Sequence, residues 1–205
     1  LEAYYRLLET WNTRVNLTAL DLAGGPDATI DRLLIEPLVA ARHLPASARM
    51  IDIGSGGGSP AIPMKLCRPD TVLTLVEAKT RKSAFLREAG RHLRIDLLVE
   101  TARYEALLSR PDLHEAFDVG TVRAVRTDAR LLRGLQAFLR PGGALFLFGG
   151  PSPAAVPSAI VPPLFWRSTH TLLESDRSRL VILEKAVVGA AQPEGPSRGM
   201  FHVEQ

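Results

Sequence analysis

One glycine-rich stretch, residues 50–63 with the sequence MIDIGSGGGSPAIP, limits what this chain can fold into. It opens with a short apolar run interrupted only by Asp52, as in a buried strand, and four glycines follow within five positions. Glycines tolerate positive φ and let a ligand approach the backbone closely. Ser59 then stands where a helix N-cap belongs, and Pro60 at the first helical position. The stretch predicts a strand, a ligand-binding loop and a helix that begins beside the ligand.

The residues around the glycines distinguish between the cofactors that bind such loops. No Gly-Lys-Ser/Thr follows, which excludes a nucleoside-triphosphate loop. A dinucleotide loop fits one register, Gly56-x-Gly58-x-x-Ala61, but Asp52 at the strand end would repel a pyrophosphate and suits a cationic ligand. The next strand ends in Glu77, about 20 residues on, where an acidic side chain binds ribose hydroxyls in either cofactor. We therefore favour S-adenosylmethionine, which carries an ammonium and a sulfonium, over a dinucleotide.

The composition of the whole chain fits one domain of ordinary core size, since 46% of its 205 residues are hydrophobic. Cys67 is the only cysteine, which excludes an internal disulfide and a cysteine metal cluster, so we predict an inert packing residue and no metal. No apolar run approaches the roughly 18 residues of a membrane span, and no leader pattern precedes the first helix. We therefore expect a cytoplasmic protein without membrane contact.

Residues 1–45 predict helices that pack on a larger body. The apolar side chains of the first segment recur at helical spacing: Leu1, Tyr4, Tyr5, Leu8 and Trp11. This pattern predicts an amphipathic helix that serves as a lid or a buttress. A second helix is expected near residues 28–35, and Pro37 should end or kink it before residues 38–43 continue.

Residues 46–185 alternate between strand and helix patterns. We predict strands at 50–53, 72–76, 97–99, 117–122 and 144–148. We predict helices at 60–67 and 131–139, and another that begins at Thr80 and extends as far as Arg94. This alternation predicts a parallel sheet covered on both faces. Residues 164–172 and 179–184 are too close for a helical crossover and predict an antiparallel hairpin. The predicted fold class is α/β: a Rossmann-like class I methyltransferase domain over residues 1–185, followed by a poorly ordered tail at 186–205.

Basic residues cluster on the helix predicted to begin at Thr80 and again after the fourth strand. The members are Arg81, Lys82, Arg87, Arg91, Arg94, Arg123, Arg126, Arg130 and Arg133. Because 25 basic residues face 22 acidic ones overall, any surface for nucleic acid must come from local clustering of this kind. The cluster is compatible with phosphate contacts and equally with a solvated helix face.

Several segments resemble the glucose-inhibited division protein B family. They are residues 4–12, Asn16-Leu17-Thr18, residues 52–63, Leu75-Val76-Glu77, Arg81-Lys82, Phe85-Leu86-Arg87, Phe117-Asp118-Val119 and Arg123-Ala124-Val125. The resemblance covers roughly residues 4–148. That family comprises bacterial small-subunit ribosomal RNA methyltransferases that act on N7 of a guanine near the decoding site. The resemblance implies S-adenosylmethionine as cofactor and small-subunit ribosomal RNA, or a ribosomal particle, as partner.

The resemblance, together with the loop, gives an expected set of cofactor-binding residues: Asp52, Gly54, Gly56, Ser59, Glu77, Tyr104, Glu105 and Arg123. It implies that Gly54 and Ser59 line the methionine part and that Glu77 binds the ribose. Tyr104 and Glu105 would border the adenine, and Arg123 would lie between cofactor and substrate as a positioning residue. Guanine N7 already has an in-plane lone pair, so methyl transfer needs alignment rather than a general base, and we assign no catalytic acid or base.

The chain departs from the family mainly on the expected substrate side. The family commonly has a His followed by Asp-Ser where this chain has Arg32 and then Ile35-Glu36, and a Lys where this chain has Phe148. Ser59 also replaces a usually bulkier residue. Two other hypotheses therefore stay open: a small-molecule methyltransferase, favoured if Phe148 and the altered helix close the pocket, and a cofactor- or RNA-binding homologue without turnover.

Overall fold

The structure, a computed structural model, describes residues 1–123, 127–149, 160–174 and 178–187. Its strands are β1 Arg49–Ile53, β2 Val72–Val76, β3 Leu97–Glu100, β4 Phe117–Arg123, β5 Leu139–Gly149, β6 Leu164–Thr171 and β7 Arg179–Lys185. Its α-helices are α1 Glu2–Asn12, α2 Asp27–Ile30, α3 Glu36–Ala40, α4 Ala61–Cys67, α5 Thr80–Leu93, α6 Tyr104–Leu107 and α7 Ala129–Leu135. Shorter turns are a π-helical Asp31–Ile35 and the 3₁₀ segments Ala41–His43 and Pro111–Leu113.

The seven strands form one sheet in the order β3-β2-β1-β4-β5-β7-β6. β1 to β5 are parallel, and β7 inserts antiparallel between β5 and β6. This confirms the predicted fold class and the closing hairpin. The chain runs outward from β1 to β3 and then returns to the other side of β1, so the connections after β1 and β4 diverge. Ligands of such sheets bind at this point, beyond the carboxyl ends of the strands.

The core lies in two layers, one on each face of the sheet. In β1, Met50 belongs to the layer that also contains Tyr4 and Phe85, whereas Ile51 belongs to the layer that contains Phe138. Successive strand residues point to opposite faces, so a buried run such as β1 serves both layers. Covering both faces explains why the parallel strands are apolar almost throughout.

The helix predicted at residues 131–139 ends four residues earlier in the structure. α7 ends at Leu135, and Leu139 already pairs with Phe117 as the first residue of β5. The pairing then shifts register around Gly143, where an added Cβ would lie 3.1 Å from the Phe117 carbonyl oxygen. Residues 140–143 therefore form a bulge within β5. Cys67 is exposed, so the prediction that it is a packing residue is wrong. Most of the predicted tail, residues 188–205, lies outside the described residues.

Pro37 neither ends nor interrupts the second helical segment, because residues 27–43 are helical throughout. The segment changes its hydrogen-bonding pattern instead: the Glu36 N–H donates to the Asp31 carbonyl, five residues back, which makes a π-helical turn. That bond diverts the N–H that would normally reach the Arg32 carbonyl, and Pro37 has no N–H to offer Leu33. Two helix carbonyls can therefore accept hydrogen bonds from side chains.

Candidate functional site

The glycine loop after β1 is held in one conformation by its own backbone angles and by side chains that pack against it. Gly54, Gly56 and Gly58 have φ of 74°, 52° and 89°, the left-handed region that favours glycine. At Gly58 an added Cβ would lie 2.5 Å from the side chain of Ile62. The carboxylate of Glu77 accepts the Gly56 N–H at 2.9 Å, so the end of β2 fixes the loop that follows β1.

Ser59 has a different role from the predicted helix cap. α4 begins at Ala61, one residue later than expected, and no side chain caps it. The Ser59 hydroxyl donates to the Leu33 carbonyl at 2.8 Å and accepts from Arg123 Nη1 at 3.1 Å. The Leu33 carbonyl needs this partner because Pro37 cannot supply one. Ser59 thus joins the glycine loop to the π-helical turn.

A cavity of about 420 Å³ opens between the loop and the N-terminal segment. Its wall contains residues 54–57 and Ser59 of the loop, Leu8, and residues 17–20. Its charged side chains, within the described part of the chain, are all cations: Arg32, Lys82 and Arg123. The volume is within the roughly 300–1,000 Å³ typical of small-molecule sites.

The structure brings half of the predicted set to this cavity. Gly54, Gly56, Ser59 and Arg123 line it. Asp52 and Glu77 are buried behind the loop rather than on the wall. Tyr104 and Glu105 lie in the first turn of α6, beyond the carboxyl end of β3; Tyr104 is half-buried and Glu105 is exposed.

Asp52 is a buried carboxylate with one oxygen left over. The residue is 1% exposed, and its Oδ1 accepts a 2.6 Å hydrogen bond from the Thr121 hydroxyl. Its Oδ2 has no hydrogen-bond partner among the described residues. Burial raises the pKa of Asp52 to about 6, although the bond from Thr121 acts in the opposite direction. The carboxylate is therefore mostly ionised at pH 7.

Arg123 is the centre of a buried polar network. Its Nη1 donates to the Arg32 carbonyl and to Ser59, and its Nη2 donates to Glu36 Oε2 at 2.8 Å. Its guanidinium carbon lies 4.5 Å from the ring centroid of Phe148. Burial lowers the pKa of Arg123 to about 10, which still leaves it protonated at neutral pH. Arg32, Glu36 and Phe148, where the sequence departs from the family, are thus all partners of this one guanidinium.

Sequence reasoning missed the side chains that support the loop from the N-terminal helix. The Tyr4 hydroxyl donates to the Gly57 carbonyl at 2.6 Å, and Leu8 lies 3.0 Å from where a Cβ of Gly57 would stand. The helix is therefore a buttress beneath the loop. Its apolar stripe was the only signal in the sequence, because these partners lie about 50 positions away in the chain. Burial also raises the pKa of the Tyr4 hydroxyl well above its ordinary value.

The described residues contain neither a candidate metal site nor a helix that could span a membrane. No three His, Cys, Asp or Glu side chains in this part of the chain come together in a way that could hold a metal ion. No helix within the same residues is both long and apolar enough to cross a membrane.

Comparison with known proteins identifies the family. The GidB family model, described as rRNA small subunit methyltransferase G, matches residues 1–159. Ribosomal RNA small subunit methyltransferase G of Halorhodospira halophila is 36% identical over 192 residues, which cover 91% of this chain and 88% of that protein. A Klebsiella pneumoniae structure provisionally described as an O-methyltransferase shares the fold, with a TM-score of 0.63, 18% identity and 90% of each chain covered. A mutant of MtNAS in complex with S-adenosylmethionine has a TM-score of 0.57 at 14% identity, covering 91% of this chain and 71% of that one. This chain belongs to the GidB family of rRNA small subunit methyltransferases.

Proposed function

We propose that this protein is an enzyme of the cytoplasm that transfers the methyl group of S-adenosylmethionine to N7 of a guanine in small-subunit ribosomal RNA. The observation that carries the proposal is the cavity formed by a positive-φ glycine loop and a cationic wall, at the carboxyl ends of the strands in a chain of this family. The loop suits the cofactor, and the cations suit a polyanionic acceptor.

The residues around the loop fit the cofactor. S-adenosylmethionine supplies an electrophilic methyl group on a positively charged sulfur. Gly54 and Gly56 leave the wall without side chains, so a ligand can contact the backbone. Asp52 does not line the cavity and would attract the cationic sulfur through its charge from behind the loop. Each oxygen of Glu77 accepts one backbone N–H, from Gly56 and Lys79, and retains a second lone pair for a ribose hydroxyl.

Tyr104 and Glu105 would border the adenine from the carboxyl end of β3. Tyr104 is held in place by close packing against Gly134, where an added Cβ would lie 2.8 Å from the tyrosine ring. Glu105 is exposed and able to meet a ligand from the solvent side. Both positions lie at the same edge of the sheet as Glu77, which follows the neighbouring strand. The adenosine would therefore extend along this edge, away from the cationic wall.

Methylation of N7 requires only that the base and the methyl group are aligned. The lone pair of N7 lies in the plane of the base and can attack the methyl carbon directly, so no proton has to be removed first. The described wall of the cavity contains no Asp, Glu or His that could act as a general base. The contribution of the protein is then to hold the base and the methyl group in line and to exclude water. Glu36 and Phe148 hold the Arg123 guanidinium in place, where it would lie between the cofactor and the base and help to position them.

Basic side chains at and beyond the cavity support an RNA acceptor. Lys82 lines the cavity, and Arg81 is exposed beside it on α5. Arg87, Arg91 and Arg94 are exposed farther along α5 and at its carboxyl end, where they border a separate groove, and Arg130 and Arg133 are exposed on α7. Arg91 pairs with Glu88, so its charge is partly neutralised. Arg126 lies outside the described residues. Two features would have favoured a small-molecule acceptor by narrowing the cavity: Phe148 and the altered N-terminal helix. Phe148 packs against Arg123 and does not line the cavity, whereas Arg32 of the altered helix does.

Methyl transfer from labelled S-adenosylmethionine to three acceptors tests the proposal: small-subunit particles, naked ribosomal RNA and guanosine. If three or four cations reach phosphates, log affinity should fall with log salt at a slope of about −2 to −4, because each phosphate contributes roughly −0.7 to −0.9. Salt-insensitive methylation of guanosine would contradict an RNA acceptor. Cofactor binding without transfer to any acceptor would indicate a homologue without turnover, and tighter binding of NAD would refute the cofactor.

A further inference from the structure

Arg32 is an arginine of the cavity wall whose orientation is fixed from two sides. Its Nη1 donates to Glu36 Oε2 at 2.8 Å, within the same helical segment, and to the Gly149 carbonyl at 3.1 Å, at the end of β5. These bonds use both hydrogens of Nη1. The side chain is 26% exposed and lines the cavity beside the glycine loop. The guanidinium is therefore held rigidly at the cavity rather than extended into solvent.

The other edge of the same guanidinium carries the remaining donors. A guanidinium has five N–H groups, and the three on Nη2 and Nε of Arg32 make no hydrogen bond with any described residue. Arg123 differs, because its side chain is only 9% exposed and both of its terminal nitrogens are bonded. Lys82, the third cation of the wall, ends in a point charge on a flexible stem and lacks a fixed fork. Of these three cations, Arg32 is the one that can present a rigid pair of donors to a ligand.

The proposed reaction creates a need for such a pair. N7 is present with the same lone pair in guanine and adenine, so the reacting atom cannot distinguish the two bases. They differ at the neighbouring position 6, where guanine has an accepting carbonyl oxygen and adenine a donating amino group. A guanidinium only donates, so it binds O6 and meets the adenine amino group donor to donor.

We propose that Arg32 selects guanine as the acceptor base by donating to its O6, an inference that rests on the proposed function. Because N7 must keep its lone pair for the methyl group, the donors of Arg32 converge on O6 alone. Glu36 accepts from both Arg32 and Arg123, which limits the positive charge beside the base as N7 is methylated and becomes cationic. Arg32 is therefore a specificity-determining residue.

The test replaces the target base. The guanine that the wild-type protein methylates is first mapped by strand cleavage at 7-methylguanine. Acceptor RNA is then assembled with guanine, inosine, 2-aminopurine or adenine at that position. Inosine keeps O6 and lacks the 2-amino group, whereas 2-aminopurine keeps N7 and lacks O6. We expect the wild type to methylate guanine and inosine at similar rates and 2-aminopurine about 10- to 100-fold more slowly, the range for one good contact to a base edge.

Arg32→Ala should lower the rate on guanine by the same factor and leave the rate on 2-aminopurine unchanged, so that their ratio approaches one. Arg32→Gln, whose amide still donates, should restore part of the ratio. Glu36 keeps Arg123 as a partner in both variants, so the melting temperature should stay close to that of the wild type. Arg42→Ala, an exposed arginine at the end of the same helical segment, is the matched control and should behave as the wild type.

Two results would overturn the inference. One is an unchanged guanine to 2-aminopurine ratio in Arg32→Ala. The other is a loss of cofactor affinity in that variant with the ratio intact, which would assign the donors to the carboxylate of S-adenosylmethionine. Failure of the proposed function has a separate signature, because the wild-type protein would then transfer no methyl group to guanine in RNA.

Discussion

Arg123 and Lys185 are buried cations at opposite ends of the sheet, and their charges and N–H donors are satisfied in different ways. Each side chain is 9% exposed and pairs with a carboxylate. The Lys185 ammonium donates to Glu115, to the Gln136 carbonyl and to the Leu139 carbonyl, at 2.9 to 3.0 Å. All three of its donors are used.

Arg123 is less completely satisfied. Its Nε has no partner among the described residues, and the Glu36 that balances its charge is shared with Arg32 and is 5% exposed. Glu115, in contrast, is 56% exposed and solvated. Buried polar groups without partners are uncommon in proteins, and four side chains in the described part of the chain contain one: Asp52, Thr71, Arg123 and Ser178. Of these, Arg123 also lines the cavity. Lys185 therefore has a structural role, because its three bonds join β7 to residues 115, 136 and 139. Arg123 instead retains one N–H that no described residue accepts, and it lines the cavity.

The largest expected effect comes from removing Arg123. Arg123→Met removes the better buried of the two cations that pair with Glu36, and it also removes the donor to the Arg32 carbonyl and to Ser59. It should lower the free energy of unfolding by about 3–5 kcal/mol in urea titrations. Methyl transfer should also be lost. Adding Glu36→Leu removes the stranded charge and should recover most of the stability without the activity. A stability loss below 1 kcal/mol for Arg123→Met would show that the pair behaves as an exposed one.

The next effect depends on pH and concerns Asp52. Its pKa rises from 3.8 to about 6 on folding, so between these values the folded protein holds one more proton than the unfolded chain. The stability that the protonated form contributes is complete below pH 3.8, falls as pH rises, and is lost above pH 6, a change of about 3 kcal/mol. Asp52→Asn should remove this dependence, so its advantage over the wild type should grow between pH 4 and pH 7 in urea unfolding. Parallel pH profiles of the two proteins would contradict the argument.

The smallest effect is expected at the other cation. Lys185→Met should cost about 2 kcal/mol, because two carbonyls lose their partner while Glu115 remains solvated. Cofactor binding and methyl transfer should be unchanged, since Lys185 lies at the far end of β7 from the cavity. A marked loss of activity in a variant that remains folded at the assay temperature would remove the functional distinction between the two cations.

Sequence reasoning succeeded where the physics is local. Gly54, Gly56 and Gly58 have positive φ, which favours glycine at each of these positions regardless of distant contacts. The buried strands are apolar in sequence, so both the loop and the strands were predictable. The antiparallel hairpin followed from the shortness of its connection. The end of α7 was misplaced because Phe138 and Leu139 continue an apolar pattern that fits a helix, and only pairing with β4 makes the second of them a strand residue.

The wall of the cavity was not predictable, because its contacts join residues that are far apart in the chain. Arg32 sits in a helix pattern, and nothing near it in the chain indicates that its partner is Gly149. The same holds for Ser59, whose position before a helix favours a cap until the Leu33 carbonyl competes for its hydroxyl. Pro37 was recognised as a disruption, but its effect was to release carbonyls for distant side chains rather than to stop the helix.

The bond from Arg32 to the Gly149 carbonyl spans 117 positions, which sets a time scale during synthesis. At about 5–20 residues per second, roughly 6–25 s pass between the appearance of the two partners. During the first part of that interval the first helix has no finished surface to pack on, because the glycine loop and α5, which it contacts, are still being made. Its apolar stripe therefore remains exposed on the nascent chain until α5 has been made, and a chaperone could bind it there. The bond that fixes Arg32 at the cavity forms only after β5 has been made.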